Sequence, residues 1–313
     1  MSNTETVKRP KINRAVIDIG TNSTRMLIFR EDKHGKLFRV NKSVRYTRMG
    51  QDVNRTKRLH PDAIKRNLDA LAEFKGIAAD YDVKDMMIFG TSALRDAEDA
   101  QTFVDLARDN LGMTVNIISG EEEAELGFIG VSQCFAERIL IFDIGGGSTE
   151  IICGEGADLK KMMSLNIGCV RSTETYIKND PPLPGELAAM NKDILDQLKA
   201  ALASYDALKP FTMVGIGGTA TTISTIKQGL QIYNSEKVHQ SVVTKAELEK
   251  ILTDLAGKTT AERSEIAGLE AKRADIIVAG ASILDDILIA AGEDRFVVCD
   301  YDNLEGAAYH YFF

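Results

Sequence analysis

The sequence lacks closely spaced cysteines. Its 313 residues contain four cysteines, and no two of them form a Cys-x-x-Cys pair. Disulfide scaffolds are short chains dense in cysteine, so this chain is too long and too poor in cysteine for that class. We therefore predict reduced thiols and a cytoplasmic location. The four histidines and the cysteines show no clustered spacing, so we assign none of them to a metal site.

Long uninterrupted hydrophobic runs are also missing. The first fourteen residues are polar and lack the apolar stretch of a signal peptide. The most apolar segment, residues 274–292, contains Asp275, Asp285 and Asp286. Each of these carboxylates is costly in hydrocarbon, so we predict a buried helix and no membrane partner.

Basic residues are scarce overall but concentrated at the start of the chain. The net charge of −8 argues against indiscriminate nucleic-acid binding. Residues 1–66 nevertheless contain 17 Lys or Arg against 6 Asp or Glu, a net charge of +11. This segment is either a solvated basic face or an anion-binding surface along the path of a long polyanion. Its clustered basic residues are Arg45, Arg48, Arg55, Lys57 and Arg58.

The composition that is present fits a folded protein of about two domains. Hydrophobic residues make up 44% and charged residues 27% of the chain. Strand patterns alternate with helical patterns, which predicts an α/β protein. The strand patterns cover Arg14–Ile19, Arg25–Arg30, Met86–Phe89, Val115–Ile118, Ile139–Asp143, Glu150–Cys153 and Met213–Ile216. The helical patterns cover Pro61–Asp80, Ala97–Leu111, Glu121–Gln133, Glu186–Tyr205, Lys245–Ala256 and Arg273–Ala291.

The chain resembles itself at two places. The segment AVIDIGTNSTRMLI (15–28) aligns without gaps to LIFDIGGGSTEIIC (140–153). In both, a strand ends with Asp and runs into a Gly-rich turn and a second strand. We therefore predict two related lobes, each opening with such a hairpin.

These turns are suited to holding phosphate. Successive backbone N–H groups in a Gly-rich turn accept phosphate oxygens, and turn hydroxyls add hydrogen bonds. An Asp at the end of the preceding strand suits a hard divalent cation. A third Gly-rich segment, GIGGTATT (215–222), strengthens this interpretation.

Several motifs together resemble one family over almost the whole chain. They are DIGTNSTRML, GTSALRDA (90–97), ISGEEEAELGFIGV (118–131), DIGGGSTEI, SLNIGCVRSTE (164–174), GIGGTATTI and ERSEIAGLEAKRADIIVAGASIL (262–284). In this order they resemble the exopolyphosphatase / guanosine pentaphosphate phosphohydrolase (Ppx/GppA) family. The resemblance implies an α/β fold with two related lobes of the actin, sugar-kinase and heat-shock ATPase superfold, and a cleft between them. The segment 303–306 departs from the family pattern, because Leu304 stands where Arg usually precedes Glu.

The resemblance also implies an organisation. We expect a first actin-like lobe in residues 1–132, a second in residues 133–313, and the short form without the all-helical His-Asp domain. A homodimer is the expected assembly.

The resemblance assigns roles to individual residues. Glu123 would orient and deprotonate the attacking water, and Arg95 would fork onto the terminal phosphoryl group. Asp143 and Glu150, with Asp18 from the first lobe, are the expected Mg²⁺ ligands; Mn²⁺ is an alternative and a monovalent cation a further candidate. The expected phosphate-binding residues are Thr21, Asn22, Ser23, Gly145, Gly146, Gly147, Ser148, Gly217, Gly218 and Thr219.

The implied activity is that of a Mg²⁺-dependent exopolyphosphatase releasing terminal orthophosphate from inorganic polyphosphate. One alternative is hydrolysis of the γ-phosphate of guanosine pentaphosphate or of nucleoside triphosphates. A kinase of the same superfold is a third interpretation, although Glu123 before the second turn favours water as the acceptor. A non-catalytic sensor of polyphosphate or guanosine tetraphosphate is a fourth.

Overall fold

The computed structural model describes residues 12–313, which form two β-sheets with helices around them. The part of the basic segment before residue 12 therefore lies outside the described residues. The first sheet contains β1 (Asn13–Ile19), β2 (Thr24–Glu31), β3 (Leu37–Arg45), β4 (Val83–Gly90) and β5 (Asn116–Ile117). The second contains β6 (Arg138–Ile144), β7 (Thr149–Glu155), β8 (Asp158–Leu165), β9 (Thr212–Ile216), β10 (Val242–Thr244) and β11 (Arg295–Val298).

Helices connect and cover these strands. Those before the second sheet are α1 (Val53–Thr56), α2 (Pro61–Asp80), α3 (Ser92–Asp96), α4 (Ala100–Leu111) and α5 (Gly120–Ser132). Those after β8 are α6 (Cys169–Tyr176), α7 (Pro184–Leu202), α8 (Gly217–Gln228), α9 (Ser235–Val238), α10 (Lys245–Ala256), α11 (Thr260–Arg263), α12 (Ile277–Ala291) and α13 (Asn303–Phe312). Short 3₁₀ turns cover Ala203–Leu208 and Ala271–Arg273. The predicted α/β class is confirmed, and residues 274–292 supply the buried helix α12.

The two sheets share one strand order. The first runs β3-β2-β1-β4-β5, and the second runs β8-β7-β6-β9-β11 with β10 added at the far edge. In each sheet the opening hairpin is antiparallel, and its first strand then pairs in parallel with a later strand. The internal sequence repeat thus corresponds to two lobes of the same construction.

Buried aliphatic side chains hold each hairpin in the middle of its sheet. Ala15, Val16 and Ile17 of β1 are fully buried, as are Leu140 and Ile141 of β6. Strands that carry apolar residues on both faces are typical of central strands covered by helices on both sides. The turns that follow β1 and β6 are therefore anchored by rigid elements.

Two helices join the lobes. The helix α13 packs on β1 and β2 of the first sheet, and α5 packs on β7 and β8 of the second. These two helices also pack against each other. Leu304 and Ala308 of α13 share a core cluster with Val16 and Phe29 of the first sheet. The boundary at residues 132/133 remains a prediction, and α13 packs on the lobe that opens the chain.

Candidate functional site

The two Gly-rich turns have the same backbone geometry. The Gly20 N–H donates to the Ser23 carbonyl at 3.0 Å, and the Gly145 N–H donates to the Ser148 carbonyl at 2.9 Å. The turns also lie against each other, because a Cβ placed on Gly146 would come within 2.7 Å of the Thr21 Cβ. Glycine is therefore required where the two lobes meet.

A cleft of about 940 Å³ lies between the lobes. The predicted residues that line it are Asp18, Thr21, Asn22, Ser23, Glu123, Asp143, Gly145, Gly146, Gly147, Ser148, Gly217 and Gly218. Three other predicted site residues are next to lining residues: Arg95 binds Glu123, Glu150 pairs with Asp143, and Thr219 follows Gly218. The sequence-based site is thus brought together in one place, although the role of each residue remains a prediction.

Cross-strand pairing places a second charged residue beside each strand-end aspartate. Asp18 pairs directly with Arg25, and Asp143 pairs directly with Glu150. Directly opposed residues project from the same face of an antiparallel pair. Arg25 forms an ion pair with Asp18, whereas Asp143 and Glu150 are two buried carboxylates side by side.

The electrostatics of the second hairpin follow from that pair. Burial raises the pKa of Asp143 to about 7; Arg25 opposes this rise, and nearby carboxylates add to it. Burial also raises the pKa of Glu150, and the charges of Glu123 and Asp143 raise it further. The Ser164 hydroxyl donates to Glu150 at 2.7 Å and offsets only part of this cost.

These residues fit a hard divalent cation. The Oδ1 atom of Asp18 is buried and has no hydrogen-bond partner, although the other carboxylate oxygen binds Arg25. The raised pKa values of these clustered carboxylates show that their negative charges are not fully compensated. A bound cation would supply the missing positive charge, and carboxylate oxygens are the ligands that hard cations prefer. Asp143 and Asp18 line the cleft, and Glu150 lies beside Asp143 on the neighbouring strand. A magnesium ion remains a proposal on this fit.

Glu123 is positioned by the start of α5. Ser119 caps this helix and forms a capping box with Glu122, whose carboxylate accepts the Ser119 N–H at 2.7 Å. Glu122 therefore has a structural role, whereas Glu123 turns inward and is buried at the cleft. Burial raises the pKa of Glu123 to about 7, against the lowering effect of Arg95.

Arg95 contacts Glu123 rather than a surface carboxylate. Its Nη1 donates to Glu123 Oε2 at 2.7 Å and to the Ile118 carbonyl at 3.1 Å. The adjacent carboxylate of Asp96 forms an ion pair with Arg171 instead. Arg95 is thus placed to orient the Glu123 carboxylate.

The third Gly-rich segment supports Asp143 from α8. Gly217 has a φ of +72°, and a Cβ there would lie 2.2 Å from Asp143 Oδ1. Only glycine allows this close approach without strain. The Thr219 hydroxyl donates to the Ile144 carbonyl at 3.1 Å, so in this structure it holds the end of β6.

The five clustered basic residues do not line the cleft, although Val44 and Tyr46 on either side of Arg45 do. Four of them contact carboxylates: Arg45 with Glu73, Arg48 with Asp275, Arg55 with Asp52 and Arg58 with Asp99. Lys57 ends α1 in a left-handed conformation. The basic residues that line the cleft are instead Arg25, Arg39, Lys42 and Arg273, and sequence reasoning missed them as site residues.

A charged network beside the cleft was also missed. Arg25 forms ion pairs with both Asp18 and Asp302, and its Nη1 atom lies 2.6 Å from Asp302 Oδ2. The Nζ atom of Lys42 lies 3.4 Å from Glu305 Oε1. Burial alone would raise the pKa of Asp302, but the positive charges of Arg25 and Lys42 hold this pKa well below its usual range. These residues come from opposite ends of the chain, which leaves no local sequence signal.

Arg171 is a further missed residue, although it lies within the quoted motif SLNIGCVRSTE. Its Nε donates to the Gly147 carbonyl at 2.7 Å, and its Nη1 donates to Asn54 at 2.7 Å. It therefore ties the second Gly-rich turn to α1 of the first lobe.

Among residues 12–313, no helix is long and apolar enough to cross a membrane. Two equivalent lobes with a carboxylate-lined cleft between paired Gly-rich hairpins define a protein of the actin-like ATPase superfold. The model of the Ppx/GppA phosphatase family matches residues 27–311. The chain belongs to this family, as its motifs indicated.

Similar proteins carry three different names. The chain is 33% identical over 309 residues to exopolyphosphatase 2 of Mycobacterium tuberculosis, covering 94% of this chain and 97% of that protein. It is 36% identical to a bifunctional 3-dehydroquinate synthase/phosphatase of Fusobacterium nucleatum, covering 94% of this chain and 46% of that protein. It is 31% identical to a guanosine-5'-triphosphate,3'-diphosphate pyrophosphatase of Aliivibrio fischeri, covering 94% of this chain and 58% of that protein. The chain therefore spans about half the length of the second and third relatives.

Solved structures have the same fold. An exopolyphosphatase-like protein superposes with a TM-score of 0.90 at 31% identity, covering 97% of this chain and 98% of that one. An exopolyphosphatase from Cytophaga hutchinsonii superposes with a TM-score of 0.88 at 26% identity, covering 95% and 96%. The predicted superfold is confirmed by these likenesses.

Proposed function

We propose that the protein is a Mg²⁺-dependent exopolyphosphatase that releases terminal orthophosphate from inorganic polyphosphate. The observation that carries this proposal is the convergence of Asp18, Asp143 and Glu123 with both Gly-rich turns at one cleft. The relative matched over nearly its full length is named exopolyphosphatase 2, which supports the same activity.

The hairpins would hold the terminal phosphate. The Asn22 Nδ2 atom is buried without a hydrogen-bond partner and lies on a residue that lines the cleft. The Ser23 and Ser148 hydroxyls lie at equivalent positions of the two turns and add donors. Phosphoryl transfer requires mainly positioning and charge stabilisation, which these groups provide.

Glu123 would accept a proton from the attacking water. Its pKa, raised to about 7 by burial, is suited to a general base at neutral pH. Arg95 would hold the carboxylate in the orientation in which one oxygen faces the cleft. Asp143, Glu150 and Asp18 would hold Mg²⁺, which when bound shields phosphate oxygens and stabilises charge on the transferring group.

A second candidate activity is removal of the γ-phosphate from guanosine pentaphosphate. The name of the Aliivibrio fischeri relative supports it, and the cleft extends past the turns to Tyr46 and Tyr233. These aromatic rings could contact a nucleobase, whereas polyphosphate has no such group. We propose a cytoplasmic location and a homodimer with either activity, and Mn²⁺ as a substitute for Mg²⁺.

The deciding experiment measures phosphate release from long-chain polyphosphate, guanosine pentaphosphate and ATP, each with and without Mg²⁺. We expect the highest kcat/KM with polyphosphate and a loss of activity in EDTA. Higher kcat/KM with guanosine pentaphosphate would favour the second candidate. Binding of these compounds without phosphate release at any Mg²⁺ or Mn²⁺ concentration would indicate a sensor.

A further inference from the structure

Two cysteines and a histidine from distant parts of the chain meet outside the cleft. Cys134 follows α5, His239 follows α9, and Cys299 follows β11. Their Sγ and ring nitrogen atoms lie within 4.8 Å of one another. The sequence showed no spacing that links these residues, so the fold alone brings them together.

The three side chains differ in exposure. Cys299 is fully buried, whereas Cys134 and His239 are half-buried and reach solvent. A small reagent can therefore approach Cys134 but not Cys299. This asymmetry suits a pair in which one thiol reacts first and the other follows.

Hydrogen bonding fixes which nitrogen of His239 carries the proton. The backbone N–H of Asp300 donates to His239 Nδ1 at 3.2 Å. Nδ1 is therefore an acceptor, and in the matching tautomer of the ring the proton is on Nε2. A neutral ring in this state has no free lone pair for a cation, which favours a thiolate partner over a metal ion.

The contacts favour the thiolate form of Cys134. The neighbouring Cys299 thiol lowers the pKa of Cys134, burial opposes this effect, and the nearby His239 ring lowers the pKa further. The proximity of Cys134 and burial raise the pKa of Cys299, so this thiol stays protonated. Thiolates at half-exposed positions are the cysteines that oxidants attack.

We propose that Cys134 and Cys299 form an oxidant-reactive pair, in which a hydroperoxide oxidises Cys134 and Cys299 then closes a disulfide. The Cys134 sulfur attacks hydrogen peroxide, an S–O bond forms, the O–O bond breaks and hydroxide leaves. The sulfur loses two electrons to the peroxide and becomes a sulfenic acid. The Cys299 sulfur then attacks this sulfur, the S–S bond forms, and the oxygen leaves as water with the Cys299 proton.

The pair lies close to the wall of the cleft. Cys299 immediately precedes Asp300, which lines the cleft and accepts a hydrogen bond from Arg39 at 2.6 Å. The site itself is independent of the proposed activity, because none of its three residues lines the cleft.

The test treats the reduced full chain with hydrogen peroxide in EDTA, removes the oxidant, and counts free thiols after unfolding. We expect the four free cysteines to fall to two. Peptide mapping should show Cys134 linked to Cys299, and dithiothreitol should restore both thiols. In Cys299→Ser, dimedone should trap Cys134 as the sulfenic acid.

Two variants separate the pair from general oxidation. Cys153→Ala removes a buried cysteine of β7 outside the cluster and should leave the Cys134–Cys299 link unchanged. His239→Leu should slow oxidation of Cys134 by about tenfold, because Cys134 loses the ring that lowers its pKa.

Three results would overturn the proposal. In the first, all four thiols survive peroxide. In the second, wild type and Cys134→Ser lose thiols at equal rates. In the third, the reduced chain takes up one Zn²⁺ that protects these thiols and is lost in Cys134→Ser, which would make the cluster a metal site. Mapping on the wild-type chain keeps the test valid if a variant does not fold.

Discussion

Arg25 and Glu150 occupy equivalent positions in the two lobes and carry opposite charges. Each is the direct cross-strand partner of the aspartate one residue before the end of the preceding strand. Asp18 therefore has a counter-charge within its own hairpin, whereas Asp143 has a second carboxylate. The two hairpins share a backbone but differ in electrostatics, because only the first carries a counter-charge of its own beside the aspartate.

Glu150→Gln should stabilise the metal-free protein at pH 8. The pKa of Glu150 is raised in the folded state, so the fold binds its proton more tightly than the unfolded chain does. Stability therefore falls as pH rises above the unfolded pKa of about 4.5, and the amide removes that loss. We expect Tm in EDTA to rise by a few degrees at pH 8 and to change less at pH 5, while Mg²⁺ no longer stabilises the protein as strongly.

The matched control is Glu155→Gln on the same strand, where the carboxylate is exposed and pairs with Arg138 at 2.8 Å. This change should not raise Tm. A lower Tm for Glu150→Gln at pH 8 in EDTA would contradict the electrostatic account of the hairpin.

Glu123→Gln should reduce kcat for polyphosphate by about 10²-fold or more, because an amide cannot accept the proton of water. The amide can still accept a hydrogen bond from Arg95, so the fold and the binding of polyphosphate should be retained. Turnover and equilibrium binding are measured together, with Glu121→Gln as the exposed control on the same helical turn. Activity close to wild type would remove Glu123 from the mechanism.

Arg95→Gln should move the acid limb of the pH–rate profile to higher pH. Burial raises the pKa of Glu123 and Arg95 opposes that rise, so loss of Arg95 raises this pKa further. Because the carboxylate form is the active base, activity is then lost at a higher pH as the solution is acidified. We expect a shift of about one pH unit in kcat/KM, and a smaller shift for Arg95→Lys. An unchanged acid limb with lower kcat would mean that Arg95 acts on the substrate instead.

Arg273→Gln should weaken the binding of short and long polyphosphate equally. Arg273 lines the cleft beside Gly218, so its loss should raise KM for tripolyphosphate and for long polyphosphate alike.

Joint replacement of Arg45, Arg48, Arg55, Lys57 and Arg58 by Gln should raise KM for long chains only, since a short substrate cannot reach them. That difference should shrink as salt rises. No change with long chains would identify the cluster as a solvated face held by local ion pairs.

The sequence predicted those parts of the site that depend on neighbouring residues. Asp18, Asp143 and the turns after them are encoded within about ten residues, so their pattern is visible as a repeat. Helices α2 and α10 have the predicted bounds, because each is amphipathic and capped at its start. The edge strands β3 and β8 were missed because they are polar and only partly buried.

Contacts between distant segments could not be predicted. The ion pair of Arg25 with Asp302 joins residues 277 positions apart. Cys134, His239 and Cys299 likewise meet only after both lobes have formed. Local sequence patterns do not indicate which of these distant residues will be in contact. The packing of α13 on the first sheet brings Asp302 next to Arg25.

The position of α13 has a consequence for synthesis of the protein. The core of the first sheet contains Leu304, Ala307 and Ala308 from this helix, packed on Val16 and Leu27. When only the segment through α5 has left the ribosome, Leu126 of α5 is available to cover this face of the sheet, but the three α13 side chains are not. The cover of the first sheet is therefore completed only after the second lobe and α13 have been synthesised.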